Sequence, residues 1–337
     1  MPRIIILGGT GQIGLAAADR FSGEGWDVVL ASRTPPAGAD VWTHVLVDRE
    51  DPDALNDLVS DGVELILDCV AFDEGHADQL LQLGGSVGRI AVVSSASVYA
   101  DAEGRTLDEA PEFGFPEFPV PIPEDHPTVA PGPETYSTRK VALERRLLER
   151  AEVPVTILRP CAIHGPYSKH AREWWFVKRL LDGRARIPLA YGGRSRFQTT
   201  STRAIAEALV HALGVEEHRI WNVTDADAPD AAEIGRTIMR VMGQEAELVG
   251  LPDAPFPPRY GATPWSTERP LVCASSVPDL KSYAESVPAA IAWLAGEVNP
   301  QDWEEALPQL AKYPRDHFDY ALDDEALALP GAEPIGA

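Results

Sequence analysis

The sequence predicts an α/β fold: a doubly wound parallel sheet joined to a smaller mixed α/β domain built from C-terminal segments. Three observations predict it. Short β-branched runs alternate with helical patterns through the first half of the chain. A glycine-spaced turn links the first run to the first helix, and the alternation stops after residue 165. Strands buried on both faces read as near-continuous apolar runs, and regular strand–helix alternation places them parallel in one sheet.

Strands are expected at 3–7 (RIIIL), 27–31 (DVVLA), 44–48 (HVLVD), 64–70 (ELILDCV), 89–95 (RIAVVSS) and 155–160 (VTILRP). The intervening stretches GQIGLAAADRFSGEG, DPDALNDLVSDG, EGHADQLLQLGG and YSTRKVALERRLLER carry helical spacing. Further helices are expected at 171–183, 203–214 and 230–243, with one more strand at 219–223 (RIWNV). Residues 1–164 and 196–223 are assigned to the sheet domain, and 165–195 and 224–337 to the second domain. The acidic stretch 323–337 is expected to fray.

Residues 100–135 interrupt this order. They hold 8 prolines and 9 acidic residues, which argues against a helix or a central strand. A long loop of this kind is either a lid over a site, with Phe113, Phe115 and Phe118 as apolar contacts, or a surface excursion.

Composition narrows the function. A formal net charge of −23 opposes nucleic acid or anionic membrane as a partner, since both select basic surfaces. The three cysteines, Cys69, Cys161 and Cys273, show neither metal-ligand spacing nor a disulfide framework. No apolar run reaches membrane-spanning length, and MPRIIILGG lacks the architecture of a signal peptide. A cytoplasmic protein with a small-molecule substrate is expected, and no bound metal.

LGGTGQIG (7–14) follows the first strand directly and opens a helix. Gly8, Gly11 and Gly14 suit a tight turn, close approach of backbone to a pyrophosphate, and close helix–strand packing. The helix N-terminus adds unpaired N–H groups and partial positive charge, so a dinucleotide is the expected ligand. A site for NAD places a carboxylate at the end of the second strand, whereas here Ala31, Ser32 and Arg33 stand there. Ser32 and Arg33 suit a 2′-phosphate, so NADP(H) is the expected cofactor, with NAD as the alternative. Asp48, at the end of the third strand, is placed to meet the adenine.

Tyr136 and Lys140 lie four apart at the start of a helix and so share a face. The chain has 29 Lys and Arg, yet only five of those cations are lysines. An ammonium beside a phenol favours the phenolate and brings the tyrosine towards a range useful for proton transfer. A hydroxyl at a strand end beside the cofactor should complete the set; VVSSASVY (92–99) offers Ser95, with Ser94 as the alternative.

At this point the chain resembles the extended short-chain dehydrogenase/reductases, the NAD-dependent epimerase/dehydratase family. The matching residues are Gly8-x-x-Gly11-x-x-Gly14, Ser94–Tyr99, Tyr136-x-x-x-Lys140, VTILRPCAIHGP (155–166), RIWNV and PWSTERP (264–270). The resemblance implies a Rossmann domain plus a small substrate domain. It also implies hydride transfer at a secondary alcohol or ketone, with Tyr136 as acid/base, Lys140 as its support and Ser95 orienting the substrate oxygen. The expected cofactor contacts are Gly8, Thr10, Gly11, Gln12 and Ile13 in the turn, and Ser32, Arg33 and Asp48 at the adenosine end. Val70, Ala71, Ser94, Tyr136 and Lys140 follow, with Pro160 and Ile163 near the nicotinamide. Ser95, Tyr99, His164 and Gln198 are expected at the substrate. A homodimer through the helix at Tyr136 is suggested by the same analogy.

Departures from the family pattern refine the expectation. Dehydratases carry an Asp-Glu pair after the catalytic hydroxyl residue, where this chain has Ala96 and Ser97. The segment from Asp68 to Ser94 is shorter than in typical sugar-nucleotide epimerases and is similar to that of atypical members, including chloroplast RNA-binding relatives. An NADP(H)-linked reductase is therefore expected first. The alternatives are a nucleotide-sugar epimerase and, in another class, a non-catalytic cofactor-sensing or RNA-binding protein.

Overall fold

Each apolar run of the first half forms one layer of a sheet, and each amphipathic stretch covers a face of it. The computed structural model describes residues 1–35, 41–255 and 257–336. In chain order the first half gives β1 (Arg3–Leu7), α1 (Gln12–Gly23), β2 (Asp27–Ser32), β3 (Thr43–Leu46), α2 (Pro52–Leu58), β4 (Leu65–Asp68), α3 (Glu74–Gln82), β5 (Ile90–Val93), α4 (Ala110–Phe113), α5 (Tyr136–Arg150) and β6 (Val155–Pro160). The second half gives β7 (Ala162–His164), α6 (Trp174–Leu181), β8 (Arg186–Leu189), β9 (Thr199–Ser201), α7 (Thr202–Ala212), β10 (Arg219–Val223), α8 (Ala231–Met242) and β11 (Glu247–Gly250). It ends with α9 (Tyr283–Ser286), α10 (Pro288–Glu297), α11 (Trp303–Ala306), α12 (Tyr320–Leu327) and β12 (Glu333–Pro334).

The central sheet has seven strands in the order β3-β2-β1-β4-β5-β6-β10, and every pairing is parallel. The period-2 alternation of a strand splits its residues between the two faces. Ile4 and Ile6 pack with Ala17 and Phe21 of α1 and Leu209 of α7. Ile5 and Leu7 pack with Leu55 of α2, Leu80 of α3 and Leu147 of α5. The order reverses between β1 and β4, and a crevice for ligand opens at the carboxyl ends of strands at such a switch. This is the Rossmann arrangement the sequence predicts.

A second core forms where Trp174, Trp175 and Phe176 of α6 meet Ile234 and Ile238 of α8, Leu294 of α10 and Leu310. Here β8, β11 and β12 make a three-stranded sheet. Residues 323–336 of the stretch expected to fray are held in place; Ala337 lies outside the described residues. Asp323 of α12 is buried against Arg179, accepting from its Nε at 2.9 Å and from Nη2 at 3.2 Å. The Arg179 guanidinium lies 3.6 Å from the Trp175 ring centroid, and β12 pairs antiparallel with β11. An acidic tail looks solvated in sequence; a buried arginine far upstream is what holds it.

Residues 100–135 also differ from expectation. They contain the short helix α4, which Pro111 permits because a proline in the first turn gives up an N–H that has no helical partner. Phe115, Phe118 and Ile122 are buried with Ala96, Tyr99, Leu271 and Cys273. Phe113 is exposed. The Asp101 carboxylate ties the segment together, accepting from the backbone N–H of Glu103, Arg105 and Glu117.

Candidate active site

The first crossover builds the cofactor groove. Gly8 has φ +73°, in the left-handed region that glycine adopts freely. A Cβ at Gly14 would stand 2.6 Å from Gly9 Cα, so only glycine lets α1 approach the turn this closely. Helices α2, α3, α5 and α7 are capped by the side chains of Asp51, Asp73, Thr135 and Ser201. Helix α1 has no side-chain cap and no acid in its first turn. Its free N–H groups and the unpartnered Gln12 Oε1 leave polar atoms to satisfy at the groove, which fits a bound diphosphate.

The groove has a volume of about 990 Å³, and Gly8, Thr10, Gly11 and Gln12 line its floor. Ser32, Arg33 and Asp48 line it at the β2–β3 end, and Val70 at the β4 end. Ile13 points the other way and packs on the core shared by α1 and α7. The Ser32 hydroxyl lies 2.9 Å from His44 Nε2, accepts from Thr10 Oγ1 at 3.3 Å and donates to the Thr34 carbonyl at 2.6 Å. The strand expected at 44–48 ends at Leu46, so Asp48 stands exposed beyond it. Next to it, Arg49 is buried and donates through Nε to Asp68 at 2.9 Å.

Helix α5 starts at Tyr136. Thr135 caps it in a reciprocal pair with Thr138, and the Asp108 carboxylate accepts from Ser137 N–H at 2.9 Å. Ser95 stands close enough to Tyr136 to lower its phenol pKa, and its Oγ accepts from Ser97 N–H at 3.1 Å. Although 42% of Tyr136 is exposed, the protein packed around it pushes the phenol pKa above its ordinary value. The Ser95 hydroxyl opposes that rise and the Asp108 charge adds to it. The lowered phenol expected from sequence is thus corrected: burial dominates here.

Lys140 is buried, and its Nζ lies 5.7 Å from the Tyr136 ring centroid. It donates to the Ala71 carbonyl at 2.6 Å and the Val93 carbonyl at 2.9 Å, leaving one of three ammonium protons for a ligand. Burial lowers its pKa to about 8, against the raising effects of Asp68, Glu144 and Cys69. Tyr136, Ser95 and Lys140 therefore come together at the β4–β5 edge of the crevice.

Four expected contacts lie elsewhere. Ser94 is buried and gives its hydroxyl to Glu144, so it offers none to a ligand. Tyr99 is fully buried and donates to Asn222 Oδ1 at 2.7 Å; burial pushes its phenol up to about 12. His164 is buried with its Nε2 2.7 Å from Asp225 Oδ2. Burial would lower its pKa, but the Asp225 charge and hydrogen bond outweigh that and raise it. Gln198 is buried and donates to the Asp227 carbonyl at 2.6 Å. Ser94, Tyr99 and Gln198 spend their polar groups on the fold, and among the described residues His164 Nδ1 has no partner but is buried, so Tyr99, His164 and Gln198 are not open substrate contacts. Pro160 closes β6 and is buried, and Ile163 is half-buried on β7.

Sequence reasoning passed over a buried pair beneath this site. Arg159 donates to Glu144 through Nε at 3.0 Å and through Nη2, and through Nη1 to Tyr99 Oη at 3.2 Å. The signal was present: an arginine inside the apolar run VTILRP needs a buried partner. Glu144, one turn past Lys140 on the same helix face, is that partner.

A crevice thus opens at the switch of a parallel sheet, with Tyr136, Lys140 and Ser95 close together beside it. Residues 4–224, well over half the chain, match the NAD dependent epimerase/dehydratase family, and the chain belongs to it. It is 27% identical over 240 residues to the chloroplast stem-loop binding protein of 41 kDa b from Arabidopsis thaliana. That match takes in 66% of this chain and 58% of the relative's length. Among solved structures, UDP-N-acetylglucosamine 4-epimerase from Bacillus cereus superposes with a TM-score of 0.67 at 16% identity, over 88% of this chain and 99% of that one. The Bordetella bronchiseptica enzyme WbmH, solved with NAD+, gives 0.65 at 19% identity, over 88% and 99%. At these identities the structural likenesses carry the fold.

Proposed function

We propose that the chain catalyses hydride transfer at a secondary alcohol or ketone with a nicotinamide dinucleotide, as an NADP(H)-linked reductase. The observation that carries this reading is the convergence of Tyr136, Ser95 and Lys140 beside a glycine-floored groove. When bound, the dinucleotide supplies the hydride carrier. Gly8, Gly11 and Gln12 would hold its diphosphate, Lys140 its ribose through the remaining proton, and Arg33 a 2′-phosphate, which Ser32 would join by turning its hydroxyl away from the Thr34 carbonyl. Tyr136 gives its hydroxyl proton to the substrate oxygen during reduction and takes it back during oxidation. Ser95 holds that oxygen beside the phenol. Burial keeps Tyr136 protonated over the ordinary pH range, which suits a general acid and favours the reductive direction.

The test is Tyr136→Phe, assayed for cofactor oxidation over keto-sugars, sugar nucleotides and hydrophobic ketones. The variant should bind cofactor and lose turnover, because a phenyl ring has no proton to give. Near wild-type turnover would remove the reading.

Two other readings each have one observation behind them. Nucleotide-sugar epimerisation is favoured by the fold shared with UDP-N-acetylglucosamine 4-epimerase. It requires the cofactor to stay bound and predicts no net change in its redox state. Stem-loop RNA binding is favoured by the name of the Arabidopsis relative, and the net charge of −23 opposes it. A gel-shift titration with a stem-loop RNA separates this from the enzyme readings. Among the described residues no helix is long and apolar enough to cross a membrane.

A further inference from the structure

The groove that holds Gly8 to Gln12 is not walled by the nucleotide domain alone. Tyr167, Lys169, Trp293 and Ala306, all from beyond β7, line the same cavity. Lys169 and Tyr167 lie in the turn between β7 and α6, Trp293 on α10 and Ala306 on α11. We propose that this second-domain lip is part of the dinucleotide site, with Lys169 binding the diphosphate and Tyr167 with Trp293 closing the groove so that cofactor leaves slowly.

Charge singles out Lys169. Among the described residues three cations line the groove: Arg33, Arg49 and Lys169. Arg49 is committed to Asp68 through a buried pair, and Arg33 stands at the end of β2, where the adenosine ribose is expected. Lys169 is exposed and, among the described residues, forms no ion pair. An ammonium lining the groove into which α1 opens adds to the positive potential that the helix terminus already provides.

The backbone holds this lip in place. Tyr167 has φ +64°, a conformation that costs a bulky residue strain and persists where its surroundings enforce it. Gly165, two residues earlier, has no room for a Cβ, which would meet Thr202 Oγ1 at 2.3 Å. The Lys169 carbonyl accepts from Gln309 N–H at 3.0 Å, fastening the turn to the segment after α11. Tyr167 and Trp293 rings lie 5.8 Å apart at 51°, forming an aromatic edge over the groove.

This inference rests on the dinucleotide reading above, and the experiment separates the two. Dissociation constants for NAD and NADP, and for adenosine as a probe without phosphates, are measured by titration calorimetry on wild type, Lys169→Met, Lys169→Arg and Trp293→Ala. Lys169→Met should weaken both dinucleotides about tenfold, the scale of one charge-assisted contact, and leave adenosine unchanged. Lys169→Arg should restore most of that loss. Trp293→Ala should speed dinucleotide release in a stopped-flow chase. Dinucleotide affinities in Lys169→Met equal to wild type would overturn the lip while leaving the cofactor reading in place. A wild type that binds neither dinucleotide would overturn both.

Discussion

Replacing Lys140 by methionine separates its chemical role from its cost to the fold. The ammonium is buried on two backbone carbonyls, and burial lowers its pKa from the ordinary 10.5 to about 8. That difference corresponds to roughly 3 kcal/mol by which the charged lysine destabilises the folded state relative to the unfolded chain. Because the folded-state value lies below the unfolded one, the folded chain releases its proton first as pH rises through about 8 towards 10.5. Stability therefore increases across that window and is lost again as pH falls through the folded-state value. Methionine carries no such proton. Between pH 7 and pH 10 the stability of wild type relative to Lys140→Met should move by about 2–3 kcal/mol in favour of wild type. Urea unfolding of cofactor-free protein at pH 7, 8.5 and 10, followed by tryptophan fluorescence, measures it. In the same variant, turnover should be lost and cofactor affinity reduced. A stability difference that stays constant with pH would refute the buried, desolvated ammonium, and wild-type turnover would refute its role in the chemistry.

The Tyr136 phenol offers a pair of shifts with opposite sign. Ser95→Ala removes the hydroxyl that lowers its pKa and should move the alkaline limb of the pH–rate profile upward, with a rate loss on the order of 10²–10³. Asp108→Asn removes the charge that raises it and should move that limb downward; shifts in one direction for both variants would contradict the site geometry. Arg33→Ala should weaken NADP by about tenfold or more and NAD far less, and titration of both cofactors detects equal losses if the 2′-phosphate reading is wrong. Asp323→Ala leaves Arg179 charged and unpaired in the second core, and should destabilise the protein by about 3–5 kcal/mol in urea unfolding.

The parallel sheet was legible in the sequence because its signal is local. RIIIL, RIAVV and VTILRP carry apolar residues on both faces of the strand, which suits burial on both faces, and RIWNV forms β10 with the boundaries read from its residues. The glycine turn was legible for a similar reason, since spacing alone fixes where backbone must come close. Tyr136 and Lys140 were recoverable because a helix places residues four apart on one face. Pro-rich and acidic stretches misled where a distant partner decides the outcome. Residues 100–135 read as loop, yet Ile122 exchanges backbone hydrogen bonds with Val272 and Ala274.

What the sequence by itself determined is therefore the sheet, the cofactor turn and the helix that carries Tyr136 and Lys140, each specified by residues a few positions apart. Only the tertiary structure decided which polar groups remain open to a ligand. Ser94 and Ser95 are neighbours with the same hydroxyl, but Glu144 takes the proton of the first, while the second stands beside Tyr136. Cys161 and Cys273 are 112 residues apart and come within 3.5 Å. Lys169 reaches the groove only because the turn after β7, with α10 and α11, comes against the glycine turn more than 150 residues upstream. A buried polar group must find a partner, and the fold, not the spacing, determines whether that partner is another residue or is left for a bound molecule.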